Sequence, residues 1–157
     1  MKRDEIMPDT NKIFTDDQSD LLTEVLNRIV PANGDLPSAG DLGIAVFIES
    51  AVNANPALRR LFTEGLTQIV IAASQNGNDF SKLSDAAKDE VLKEVESNNA
   101  TFFSTLVRQC YNGYYTNEGV LSTIGYEAIS PEDYVYKPID ESLLAPQRER
   151  APFWTKV

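Results

Sequence analysis

The chain has no histidine and a single cysteine among 157 residues. Without imidazole, the usual zinc, haem and copper ligand sets cannot be assembled, and catalytic triads and other histidine mechanisms fall away with them. The lone thiol, Cys110, excludes an intrachain disulfide. Positive charge is also scarce: 14 Lys and Arg stand against 24 Asp and Glu, a formal net charge of -10. That field repels phosphate backbones and no basic stripe opposes it, so nucleic acid is excluded as an expected partner. No apolar run approaches the about 20 residues that cross a bilayer, so no direct membrane insertion is expected. The opening MKRDEIMPDTNKIF has neither an apolar stretch behind its charges nor a twin-arginine pair, so a cytoplasmic protein is expected unless a signal-bearing partner exports it to the periplasm. No G-x-G-x-x-G follows a strand, and P-loop, G-x-S-x-G and calcium-loop spacings are all missing.

What is present is helical periodicity. Thr15 to Gln18 reads as a capping box, followed by Leu21, Leu22, Val25, Leu26, Ile29 and Val30 on one face and stopped by Pro31, which predicts a first helix over 16–30. The loop PANGDLPSAG follows, with turn signals at Asn33-Gly34 and Leu36-Pro37. A second helix is predicted from about Ser38 with Ile44, Phe47, Ile48 and Ala51 inward. Gly43 would lie inside it, where an interior glycine suggests close helix packing. Pro56 suits the first turn of a third helix over 56–75, whose inward stripe is Leu58, Leu61, Phe62, Leu66, Ile69, Val70 and Ala73 and whose end is signalled by Asn76-Gly77. Ser84 caps a fourth helix buried through Val91, Leu92 and Val95. A fifth runs through ATFFSTLVRQCYNGYYTN with Phe102, Phe103, Leu106, Val107, Cys110 and Tyr114 at helical spacing.

Beyond Thr116 glycine and proline interrupt every period, yet Tyr126, Tyr134, Tyr136, Leu143, Leu144, Phe153 and Trp154 recur. Ordering a residue costs about 1–2 kcal/mol and burying a large apolar side chain returns about 1.5–3, so such a tail orders where its anchors find a surface. The reading is an all-α single domain of about five helices with an extended C-terminal tail. Residues 1–13 are expected as a mobile arm, 14–130 as the helical domain, and 131–157 as a tail wrapping its own bundle or a partner.

Candidate chemistry is thin. Asp16, Asp17, Asp20 and Glu24 stand at a helix N-terminus, where the dipole accounts for them without a metal. Phe102, Phe103, Tyr111, Tyr114 and Tyr115 at helical spacing describe core better than a cofactor pocket, with Tyr111 and Tyr115 left to present hydroxyls to a partner. Cys110 shares the buried face and reads as an inert thiol. Gly113, near a helix end, reads as part of a C-terminal turn.

The order and spacing of several segments resemble the gluconate 2-dehydrogenase subunit 3 family. They are Arg28-Ile29-Val30-Pro31, then Gly43 to Glu49 with Phe47 and Ile48, then Pro56, Arg59, Gly65 and Leu66. Phe80 and Leu83 follow, then Phe102-Phe103, Gly113-Tyr114-Tyr115 and Ile124-Gly125-Tyr126. The resemblance covers about residues 14–130; it departs in lacking a tryptophan before Ile124, where Leu121-Ser122-Thr123 stand, and in lacking the twin-arginine signal of many members.

The resemblance implies a non-catalytic small subunit, with no catalytic, cofactor or metal residue of its own. Its partner would be a large flavoprotein of the glucose-methanol-choline type that holds FAD, oxidises sugars, sugar acids or polyols, and often passes electrons to a cytochrome subunit. The contact candidates are the 31–43 loop, with Asn33, Asp35, Leu36 and Pro37, together with Tyr114, Tyr115, Tyr126, Phe153 and Trp154. The alternative is a free-standing helical adaptor or regulator of an unrelated protein.

Overall fold

A computed structural model describes residues 12–126, 135 and 140–150. Residues up to Tyr126 form one unit and those from Glu127 another. The first unit is all-α, with the helices α1 (Asp16–Ile29), α2 (Ile44–Asn53), α3 (Pro56–Gln75), α4 (Asp85–Asn98), α5 (Ala100–Tyr114) and a short α6 (Glu118–Thr123). A 3-10 turn, Phe80–Lys82, links α3 to α4.

Local chemistry sets most of the boundaries. The Thr15 hydroxyl accepts from the Gln18 amide at 3.2 Å while the Gln18 side chain accepts from the Thr15 amide at 3.1 Å, closing the expected capping box. Asn55, Ser84, Asn99 and Asn117 cap α3, α4, α5 and α6 in the same way through their side-chain oxygens. Two helices end in Schellman turns through glycines at positive φ. At the end of α3, Gly77 (φ +95°) donates to Ser74 O at 3.0 Å and Asn78 to Ala73 O at 3.4 Å. After α6, Gly125 (φ +76°) donates to Ser122 O at 3.0 Å and Tyr126 to Leu121 O at 2.9 Å.

The second helix corrects the sequence reading. One α-turn forms at Ser38, whose carbonyl accepts from the Leu42 amide at 3.0 Å, but Gly43 then turns left-handed (φ +75°) and α2 starts at Ile44. A Cβ at Gly43 would meet nothing within 4 Å, so its role is conformational and not close packing. The inward residues of α2 are Ile44, Ile48 and Val52, with Phe47 exposed. On α3, Gly65 and Ala72 are buried, and Val70 is half exposed. The sixth helix follows Asn117 and buries Val120; six residues are too few to show a period in sequence.

The core runs from Phe14 to Val120. Helices α1, α3 and α5 each pack on the other four long helices, and α2 and α4 each pack on those three. The ring of Phe62 meets the edge of Phe102 with centroids 5.6 Å apart, and Phe14 sits 6.5 Å from Phe62. In the second unit, Asp140 caps a 3-10 turn, Glu141–Leu144, that runs into Ala145–Arg148 (α7). The described part of the tail is thus helical at 141–148, where the Asp140 carboxylate supplies a local cap to the Ser142 amide at 3.0 Å.

Candidate functional site

The loop between α1 and α2 is stapled down at its second half. Asn33 and Leu36 exchange both backbone hydrogen bonds, at 2.9 and 3.0 Å, around a tight turn with Gly34 at φ +58°. The Ala39 amide then donates to Val30 O at 3.0 Å and the Gly40 amide to the Asn27 side chain at 2.7 Å. Ser38, Ala39 and Gly40 are buried. Only glycine fits at position 40, where a Cβ would lie 2.3 Å from Asn27 Oδ1 and 2.5 Å from the Thr23 carbonyl. The exposed part of the loop is therefore its tip, residues 31–35, which includes Asn33 and Asp35, while Leu36 and Pro37 are half-buried.

Tyr114 closes this arrangement from the far end of α5. It is 2% exposed, and its hydroxyl donates to the Pro37 carbonyl at 2.7 Å. Burial raises its pKa above the usual tyrosine value. Tyr114 is thus no outward contact residue: the structure joins two of the expected contact candidates, Tyr114 and Pro37, to each other. The sequence carried the signal for this, since Phe102, Leu106, Cys110 and Tyr114 follow one another at four-residue spacing and share the buried face. Burial also pushes the Cys110 thiol up to about 12, which keeps it protonated and unreactive at neutral pH.

The adjacent stripe of α5 faces outward. Tyr111 and Tyr115 are 45% and 48% exposed, and their rings meet edge to face at 5.9 Å. Tyr115 also meets Tyr114 at 5.2 Å. Phe103 and Val107 continue the stripe half-buried, Phe103 resting against the core, and with Tyr111 they line a shallow groove shared with Glu96, Arg108 and Asn112. Tyr126, which closes the Schellman turn after α6, is exposed. Phe153 and Trp154 lie outside the described residues.

Gly113 was read as part of a turn but sits buried within α5, where a Cβ would approach Phe47 Cδ1 to 2.8 Å and Ile44 Cγ2 to 3.0 Å. It is the close-approach glycine between α2 and α5, the role expected of Gly43.

Several acids have structural partners. Arg28 forms a two-pronged pair with Asp89, both bonds 2.8 Å, and a third bond to Asp85 at 2.8 Å, tying α1 to α4. The hydrogen bond from Arg28 holds the Asp89 carboxyl below its ordinary pKa. Lys88 reaches Glu24 at 2.9 Å and lies over the Phe80 ring. A second cleft, between α1, α3 and the 3-10 turn, is lined by Asp17, Asp20, Glu24 and Asp79. Among the described residues, no group of three or more His, Cys, Asp and Glu is placed to hold a metal ion, and no helix is long and apolar enough to cross a membrane.

The sequence profile of gluconate 2-dehydrogenase subunit 3 matches residues 16–131. The chain belongs to the gluconate 2-dehydrogenase subunit 3 family. Comparison with curated proteins and with solved structures gave no match.

The family's segments have identifiable physical work in this fold. Arg28 ties α1 to α4, and Pro31 follows the end of α1 at Val30. Glu49 accepts from the Ile13 and Phe14 amides at 2.8 and 3.0 Å, docking the segment before α1 onto α2. Pro56 opens α3, and Gly65 lies under the Phe102 ring. The subunit 3 pattern is thus a folding pattern first, while Tyr111, Tyr115 and the loop tip remain exposed. By family this is a small subunit of a multi-subunit dehydrogenase complex.

Proposed function

We propose that this chain is a non-catalytic small subunit that binds the large flavoprotein of a sugar, sugar-acid or polyol dehydrogenase, of the glucose-methanol-choline type, and leaves the chemistry to FAD held there. The observation that carries the reading is the family match across residues 16–131. The side-chain inventory supports it: the sequence offers no histidine, the one thiol is buried and protonated, and the best-placed polar groups serve caps and inter-helix ties. A cofactor brings the redox chemistry in such enzymes, and the protein's share is binding and orientation.

The test is co-expression of this chain with the large dehydrogenase subunit of the same genome, followed by purification on a tag carried by this chain. The expected result is a stable complex that shows the visible flavin absorption and oxidises a sugar or polyol with an electron acceptor, while the small chain alone shows neither. Turnover by the isolated, flavin-free chain would overturn the reading. A stable chain that captures no flavoprotein would favour a free-standing adaptor.

A further inference from the structure

We infer that the outer stripe of α5, Phe103, Val107, Tyr111 and Tyr115 around Arg108, is the docking face for an apolar, carboxylate-bearing segment of the large dehydrogenase subunit. The inference rests on the small-subunit reading above. Residues four apart lie one above another on a helix, so these four side chains form a continuous ridge along α5. Phe103, Val107 and Tyr111 line one groove, and the Tyr111 and Tyr115 rings touch edge to face. Aromatic residues and arginine are the types enriched at the centres of protein interfaces.

Charge identifies the occupant. The chain carries 24 acids, yet none stands between Glu96 and Glu118, and Arg108 is the only charged residue of α5. Every other Lys or Arg in the described part of the helical unit has a polar partner. Lys12, Arg28, Arg60, Lys82, Lys88 and Lys93 pair with acids, and Arg59 bonds the Asn53 side chain. Arg108 makes no ion pair or hydrogen bond among the described residues. The α5 ridge itself carries no acid, Glu96 of α4 is the one acid lining the groove, and it makes no ion pair with Arg108. An aromatic ridge with one uncommitted guanidinium fits apolar side chains together with a carboxylate, which arginine holds through two parallel bonds.

A second copy of this chain fits worse. Arg108 lies one residue from the middle of α5, so an antiparallel two-fold pairing of the ridge brings the two guanidinium groups together, between bodies of charge -10 each.

The test uses the full chain titrated with the purified large flavin-binding subunit of the same genome. Tyr111→Ala is expected to weaken binding by about 30-fold or more and Arg108→Glu by about 10-fold or more. Val70→Ser, on an exposed apolar position of α3, should stay within about twofold of wild type. Circular dichroism and melting confirm that each variant folds, and Arg108→Glu, a surface change, keeps the test alive if Tyr111→Ala does not. Wild-type binding with both α5 variants unaffected, or with Val70→Ser equally weakened, overturns this inference and leaves the small-subunit reading standing. Failure of the wild type to bind removes that reading and this inference together. Self-association of the chain that Tyr111→Ala abolishes would assign the face to a second copy and overturn the inference.

Discussion

At the scale of single residues, two helix glycines separate by what stands against them. A glycine within a helix costs about 0.5–1 kcal/mol relative to alanine, so filling either with a methyl group has that much to gain. At Gly65 the methyl would lie 2.3 Å from ring carbons of Phe102, which is fully buried and packed edge-on against Phe62. The ring has nowhere to go, and overpacking of this kind costs about 1–3 kcal/mol, more than the helix gains. Gly65→Ala should therefore destabilise the chain by about 1–2 kcal/mol in urea unfolding. At Gly113 the nearest ring atom, 2.8 Å away, belongs to Phe47, which is 42% exposed and free to swing outward. Gly113→Ala should then change stability by less than about 1 kcal/mol of either sign. Equal losses at the two sites would show that the α2–α5 contact is as rigid as the α3–α5 contact. Sequence marks glycines but not their neighbours. Gly43 was assigned the packing role that belongs to Gly113 because φ and the identity of the opposing side chain arise only when the helices meet.

Between elements, the tie that joins α1 to α4 makes a prediction in acid. Arg28 holds Asp89 through two parallel 2.8 Å bonds, and this hydrogen bonding lowers the Asp89 pKa in the folded chain. A carboxyl whose folded pKa lies below its unfolded value of about 3.9 adds stability that is present above that pH and is lost as pH falls through the folded value. Asp89 is 43% exposed at its side chain, so solvent screening limits the pair to about 1 kcal/mol or less. Asp89→Asn should cost that amount at pH 7, and its unfolding free energy should fall less steeply than wild type below about pH 4. Identical slopes for the two proteins would show that other carboxylates govern the acid limb. Much of this level was legible in sequence. Thr15, Asn55 with Pro56, and Ser84 announce helix starts because a cap is a local hydrogen bond between near neighbours. The start of α2 was misread because SAGDLG supplies one true α-turn before Gly43 ends it, and α6 went unseen because six residues show no periodicity. The α5 face was half legible: spacing offered Tyr111 and Tyr115 to a partner, but Tyr114 belonged with Cys110, and the uncommitted state of Arg108 depends on which acids the other helices present.

For the whole molecule, charge and exposed aromatic surface pull in opposite directions. The body shows Phe47, Tyr111, Tyr115, Ile124 and Tyr126 to solvent, enough apolar surface to favour association. A net charge of -10 opposes it at neutral pH by repulsion between copies, an effect that reaches about 10 Å at 0.1 M salt. The sequence pI is about 4.4, so the repulsion vanishes as pH approaches that value. Dynamic light scattering on dilute protein should show single chains at pH 7.5 and reversible association near pH 4.4, above the range in which Asp89 is protonated and the fold itself weakens. Raising the salt concentration at pH 7.5 should promote association in the same direction, because it shortens the reach of the same field. A wild-type chain that stays monomeric at its pI would show that charge is not what keeps the aromatic faces apart, and that hydration of their polar rims suffices.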